Sequence, residues 1–147
     1  MDTREQAQSL LQTLGSRLGL PLALDADGAC GLRIDDRLDI TLRLEGQPPA
    51  LLAYAPVGGL PASGADGVLR RLLAANHVWE GSQGATWSVH DGQVTLARLL
   101  PLQGLDADAL ADALARLADV ARAEQERLQN HAAAPDAGRF PIGMVVA

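Results

Sequence analysis

The chain of 147 residues contains no lysine, because all 12 of its basic residues are arginine. This absence excludes a lysine nucleophile and a lysine Schiff base. Aromatic residues are also scarce, at 3% of the sequence, so the core must be built from aliphatic side chains. The overall hydrophobic content of 48% is nevertheless typical of a globular protein. The length and composition therefore predict one folded domain.

Positive charge and cysteine are in short supply as well. The chain has 18 acidic residues against 12 basic ones, which gives a formal net charge of −6. Nucleic-acid phosphates would be repelled by this charge, so we expect no nucleic-acid partner. Cys30 is the one cysteine, and it excludes an internal disulfide. Its position on the apolar side of a predicted strand indicates a buried thiol that packs as a small hydrophobe.

Targeting and membrane signals are not evident in the sequence. The first residues, MDTREQAQSLLQTL, are polar and acidic and lack the pattern of a secretory signal. No run approaches the ~18 consecutive apolar residues that a membrane span requires. We therefore expect a cytoplasmic protein without a membrane partner.

The segment 20–44 alternates apolar and polar residues in three successive runs. One side carries the apolar residues Cys30, Leu32, Ile34, Leu38, Ile40, Leu42 and Leu44. A period of two is typical of strands that bury one face, and Asp27-Gly28 supplies a tight turn between runs. The segment therefore predicts an antiparallel meander, to which residues 50–55 add a fourth strand.

Three helices and a second hairpin complete the predicted fold. We expect the helices to begin at a capping box of Thr3 and Gln6, at Asp66 and at Asp106. The hairpin turns at Asp91-Gly92. The order helix, strands, helix, strands, helix predicts an α+β fold, an antiparallel sheet flanked by three helices. The domain is predicted to span residues 1–129, followed by a flexible tail at 130–147 whose end, Phe140–Ala147, is apolar.

The residues that usually carry chemistry form no recognisable set. His77, His90 and His131 share no metal-ligand spacing with one another or with Cys30. No nucleophile elbow is present, and the glycine pairs lack the lysine of a phosphate-binding loop. The sequence therefore predicts no catalytic residue, no metal and no cofactor, and it favours a binding protein.

Three strings give the chain a family resemblance. They are LGLPLALDADGACGLRIDDRLDITL at 18–42, LLAANHVW at 72–79 and GLDADALADALARLADVARAEQERL at 104–128. With the element order, they resemble the class I chaperones of bacterial type III secretion, which are small acidic homodimers similar to the Tir chaperone. The resemblance extends from about Gln6 to Leu128. It implies an ATP-independent cytosolic chaperone that binds the N-terminal region of a secreted effector in extended form.

The resemblance also implies two surfaces. The effector grooves would lie on the first helix and the neighbouring sheet, at Leu10, Leu14, Leu18, Leu24 and Leu32. The homodimer interface would lie on the middle helix and an adjacent strand, at Val68, Leu69, Leu72, Leu73 and Trp87.

Two other functions remain open at this point. The same fold could serve a regulator that sequesters a protein of the secretion circuit. A small thioesterase of the hot-dog type would instead require a carboxylate near a substrate tunnel, and Asp35 or Asp39 would have to supply it.

Overall fold

The computed structural model describes residues 2–133, which form three helices and five strands. In chain order these are α1 (Thr3–Leu18), β1 (Ala29–Ile34), β2 (Leu38–Gly46), β3 (Pro49–Gly59), α2 (Ala65–Asn76), β4 (Thr86–His90), β5 (Gln93–Pro101) and α3 (Ala107–Ala133). A short 3₁₀ turn at His77–Trp79 follows α2. The predicted α+β class and element order are confirmed.

The five strands form one antiparallel sheet in the order β1-β2-β3-β5-β4. Alternate side chains point toward the helices, and aliphatic residues dominate that face. Its buried residues include Leu32, Ile40, Leu42, Leu51, Ala53, Val94 and Leu96. The opposite face carries polar and half-exposed residues, with Arg43 lying over the ring of Tyr54. The period-two pattern thus identified the covered face correctly.

The first run of the predicted meander is not a strand. Residues 20–24 are irregular, although Leu22 and Leu24 are buried. Side chains of α1 form hydrogen bonds with the backbone of this stretch instead. The Gln8 Oε1 accepts from the Leu24 N–H at 2.9 Å, and Arg4 donates to the Asp25 carbonyl at 2.8 Å. Because helix side chains satisfy these backbone groups, the stretch packs against α1 without joining the sheet.

The helix starts differ from the predicted ones in two of three cases. The capping box of α1 uses Asp2 and Glu5, one residue earlier than expected. The N-cap of α2 is Gly64 in a left-handed conformation, and Asp66 lies in the first turn. Asp106 caps α3 as predicted, since its Oδ1 accepts from the Ala109 N–H at 2.8 Å.

The later elements also run further than predicted. Strand β3 continues past residue 55 to Gly59 through a bulge between Pro56 and Gly58. Helix α3 extends into residues 130–133, which were assigned to the tail. The remainder of the predicted tail, including Phe140–Ala147, lies outside the described residues.

Cys30 lies on the covered face of the sheet and is buried. Burial raises the pKa of its thiol, and the nearby Asp25 carboxylate acts in the same direction. A buried thiol with a raised pKa is a poor nucleophile. This matches the packing role predicted from the sequence.

Gly15 is a point of close approach between α1 and the irregular stretch that follows it. A Cβ at this position would lie 2.4 Å from the Leu20 carbonyl oxygen and 3.2 Å from the Leu22 nitrogen. We expect Gly15→Ala to lower the free energy of unfolding by about 1–2 kcal/mol, because the clash with backbone outweighs the higher helix propensity of Ala.

Gly67 is a matched control on α2, because a Cβ there would meet no atom within 4 Å. We expect Gly67→Ala to raise the unfolding free energy by about 0.5–1 kcal/mol. Urea denaturation of both variants measures the two effects. Equal stabilisation by both substitutions would contradict the close approach at Gly15.

Candidate functional site

An apolar groove lies between α1, the end of β1 and the middle of α3. We call it the α1–α3 groove. Its volume is about 240 Å³. Its walls are formed by Leu14, Leu18, Leu32, Ile34, Ala111, Leu114, Ala115 and Ala118, and its charged lining residues are Asp35, Asp119 and Arg122. The groove therefore joins an aliphatic interior to a charged mouth.

The sequence creates this groove by placing large and small residues on facing elements. Leu14 and Leu18 lie one turn apart on the same face of α1. The wall on α3 consists largely of alanines, whose side chains are too short to reach α1 and fill the space. As a result Leu18 keeps 49% of its surface exposed, which is unusual for a leucine beside a core.

The mouth of the groove is held by an ion-pair network that the sequence did not reveal. Asp35 lies in the β1–β2 turn with a positive φ of 53°. The Arg122 guanidinium donates to the Asp35 carboxylate and, at 3.2 Å, to the Asp119 Oδ1. Arg17 and Asp108 form a further ion pair between α1 and α3. These contacts fix the spacing between the walls.

The structure brings together three of the five residues predicted to bind an effector. Leu14, Leu18 and Leu32 all line the α1–α3 groove. Leu10 lines a separate shallow depression between α1 and the start of α3. Leu24 is buried against α1 and lines neither. The helical spacing thus identified α1 as a wall of the groove. It did not distinguish the leucines of α1 that face the groove from those that face elsewhere.

The residues predicted to form the dimer interface differ in how much of their surface is exposed. Val68, Leu72 and Trp87 are buried within the subunit, and Leu69 is half-buried. Leu73 is different, because 68% of its surface is exposed. The set predicted as an interface therefore consists mainly of residues that hold α2 against the sheet.

Two exposed residues after α2 were not among the predicted ones. Val78 and Trp79 are 68% and 55% exposed, and both have a positive φ, of 46° and 54°. This conformation is uncommon for a β-branched residue such as valine. The Trp79 Nε1–H donates to the Thr86 Oγ1 at 3.1 Å, which orients the ring. We call Leu73, Val78 and Trp79 the α2 surface.

Asn76 fastens the end of α2 to the edge of the sheet. Its side-chain amide donates to the Trp87 carbonyl at 3.0 Å, and its Oδ1 accepts from the Trp87 N–H at 2.7 Å. The amide thereby occupies part of the outer edge of β4.

A buried ion pair between α2 and α3 also escaped the sequence analysis. Glu124 on α3 is 1% exposed, and Arg71 on α2 donates to both of its carboxylate oxygens. Arg127 lies 3.6 Å from the same carboxylate. Glu124 lies on the apolar side of α3, three residues after Ala121 and four before Leu128. The pattern of apolar residues could not reveal its partner, because Arg71 is 53 positions away in the chain.

Removal of Arg71 is expected to destabilise the fold, because it leaves the Glu124 carboxylate buried with only the longer Arg127 contact. Arg71→Met keeps most of the aliphatic stem. We expect it to lower the free energy of unfolding, measured by urea denaturation, by about 2–3 kcal/mol. The double variant Arg71→Met/Glu124→Leu removes both charges and is expected to recover most of the loss. If the double variant is as unstable as the single one, the ion-pair explanation is wrong.

The family relationship follows from a comparison of the sequence with protein-family models. The model described as the Tir chaperone protein (CesT) family matches residues 9–125. The chain belongs to the Tir chaperone protein family. The match covers most of the chain, including the part of α1 from residue 9 onward, the whole sheet, α2 and most of α3. No curated protein matches the chain significantly.

Solved structures of type III secretion chaperones share the fold. A chain in the complex of ExsC with ExsE is 28% identical with a TM-score of 0.75, covering 86% of this chain and 96% of that one. A chain in the heterodimeric ExoU–SpcU complex from the type III secretion system of Pseudomonas aeruginosa is 26% identical with a TM-score of 0.61. The match covers 79% of this chain and 92% of that one. A chain in the structure of the Yersinia pestis type III secretion chaperone SycH, in complex with a fragment of YscM2, is 22% identical with a TM-score of 0.65. The match covers 79% of this chain and 97% of that one.

Membership of this chaperone family leaves little support for the thioesterase hypothesis. Asp39 lies on the exposed face of the sheet, where hydrogen bonds from Arg33 lower the pKa of its carboxyl. A lowered pKa makes this carboxylate a weak general base. Asp35, the other candidate, is engaged by Arg122 at the mouth of the groove.

Neither a metal centre nor a membrane span is found in the described part of the chain. Within residues 2–133, no group of three or more His, Cys, Asp or Glu side chains is arranged to hold a metal ion. No helix in the same range is long and apolar enough to cross a bilayer.

Proposed function

We propose that this Tir chaperone family member is a homodimer that acts in the bacterial cytoplasm and binds the N-terminal segment of a secreted effector in extended form, without ATP. The α1–α3 groove carries the proposal, since it is an apolar surface open to a second chain. Solved relatives are complexes with other proteins, which supports a partner of the same kind.

The size of the groove suits aliphatic side chains. At about 240 Å³ it exceeds the ~150 Å³ of a protein cavity that holds benzene, so one or two Leu, Ile or Val side chains would fill it. Each side chain transferred from water would contribute about 1.5–3 kcal/mol. An effector segment would therefore gain its affinity from a few apolar anchors.

The sheet edge next to the groove offers a second source of affinity. Strand β1 is at the edge of the sheet, and its Leu32 and Ile34 line the groove. An extended segment that places anchors in the groove could pair its main chain with this edge. Main-chain hydrogen bonds do not depend on sequence, so the partner would remain extended without forming its own fold.

The α2 surface is our candidate for the homodimer contact. Leu73, Val78 and Trp79 are exposed apolar residues in a chain that has only two tryptophans. Large aromatic residues are enriched in protein interfaces. The left-handed backbone at Val78 and Trp79 costs of order 1–3 kcal/mol per residue, and an interface that buries both side chains would offset that cost.

Affinity purification from the native cytosol, followed by truncation of the captured partner, tests the function. We expect an exported protein whose isolated N-terminal segment binds as tightly as the whole. If binding instead requires an internal site in a protein that is not exported, the regulator hypothesis is favoured. A requirement for the partner's folded domain would contradict the proposal.

A further inference from the structure

The mouth of the α1–α3 groove has an unbalanced charge. Asp35 and Asp119 share the single guanidinium of Arg122, which donates to both carboxylates. These are the three charged residues among those that line the groove, so its lining carries one net negative charge. The Asp119 side chain is largely exposed and is accessible to an incoming chain.

Asp119 also lies at the rim of a second groove on the other side of α3. This groove is lined in part by Leu72, Ala75, Trp87 and Val120. An extended segment that crosses α3 from one groove to the other would pass over Asp119. Because a helix is about 10 Å across and a strand rises about 3.3 Å per residue, the residue that passes Asp119 lies two or three positions from the anchor in the first groove.

We propose that the preferred occupant of the α1–α3 groove is an extended peptide segment in which an arginine or lysine lies two or three residues from an aliphatic anchor. The anchor fills the space beside Leu18 and Leu32, and the cation pairs with Asp119 and Asp35. This inference rests on the proposed function and adds the chemistry of the bound segment.

Two physical effects favour a basic residue at that point. Its charge compensates the net negative charge of the mouth, whereas an acidic residue would meet two carboxylates. The chain as a whole carries a charge of −6, which attracts a cationic segment from solution. The charges thus select among segments that all have suitable apolar anchors.

Selection of short random peptides displayed on phage tests this inference with the full-length chain. Against the native sequence we expect enrichment of aliphatic residues with Arg or Lys two or three positions away. Against Asp35→Asn/Asp119→Asn, the aliphatic preference is expected to persist while the basic preference disappears, because Arg122 then leaves the mouth positive. Against Leu18→Glu, the aliphatic preference itself is expected to disappear.

Fluorescence anisotropy with one enriched peptide gives the size of the effect. Replacing its basic residue by glutamate is expected to weaken binding to the native chain about tenfold at low salt, and less at high salt, where exposed charges are screened. The Asp35→Asn/Asp119→Asn variant is expected to bind the glutamate peptide at least as tightly as it binds the original basic peptide.

The outcomes separate this inference from the function on which it rests. Aliphatic enrichment without a basic preference, or a basic preference that survives in the Asn variant, would overturn the charge selection and leave the chaperone proposal intact. If no aliphatic segment is enriched against the native chain, the groove does not bind extended peptides, and the proposed function fails with it.

Discussion

Leu18→Glu is expected to weaken binding of the effector segment by at least about 100-fold, while the fold and the dimer remain intact. The substitution removes an apolar contact worth about 1.5–3 kcal/mol. It also places a carboxylate beside the apolar anchor of the bound segment, where binding would strip the charge of water at a further cost. Together these terms exceed the ~2.7 kcal/mol that corresponds to a hundredfold change. Calorimetric titration with the isolated partner segment measures the loss.

Leu99→Glu provides the matched control for this experiment. Leu99 is also an exposed leucine, at 57%, but it lies on β5 on the sheet face away from the helices. We expect it to bind the segment like the native chain. Equal weakening by both substitutions would indicate a general effect of added charge, and native affinity in Leu18→Glu would exclude the groove as the binding site.

Leu73→Glu is expected to convert the proposed homodimer to a monomer. In a two-fold interface every residue occurs twice, so one substitution places two carboxylates in a desolvated contact. We expect the dimer dissociation constant to rise about 1,000-fold or more, which light scattering at micromolar concentration would detect. Trp79→Ala is expected to weaken the dimer in the same direction, because interfacial tryptophans contribute strongly to binding energy.

Two controls make the dimer experiment decisive. Leu99→Glu is expected to remain dimeric, and urea denaturation should show that Leu73→Glu still folds. A charge at Leu72 would not be a valid test, because that side chain is buried within the subunit and its substitution disrupts the core. A native-like dimer in both Leu73→Glu and Trp79→Ala would exclude the α2 surface as the interface.

The alternation of residues 29–44 was enough to predict the β1–β2 hairpin and its covered face. The same pattern failed at residues 20–24, where Leu22 and Leu24 are buried without belonging to a strand. Burial alone produces the alternation, whereas strand formation also depends on where the backbone hydrogen bonds go. Here Gln8 and Arg4 provide those bonds from a neighbouring helix, and no local pattern encodes them.

The candidate site was predictable only in part for a similar reason. The spacing of Leu14 and Leu18 identified an apolar side of α1, but the groove exists because Ala111, Ala115 and Ala118 of a distant helix leave it open. The Asp35–Arg122 pair joins residues 87 positions apart in the chain, and Arg71 meets Glu124 across 53. Such contacts depend on tertiary packing, so local patterns in a single sequence cannot show which of these residues contact one another.

Hydrogen–deuterium exchange of the purified complex tests the central claim most directly. Exchange is followed in both proteins, each free and in the complex. We expect protection in the partner to be confined to its N-terminal segment, and protection in this chain to appear at the end of α1, along β1 and in the middle of α3. Protection spread over a folded domain of the partner, or none at the α1–α3 groove, would contradict the account.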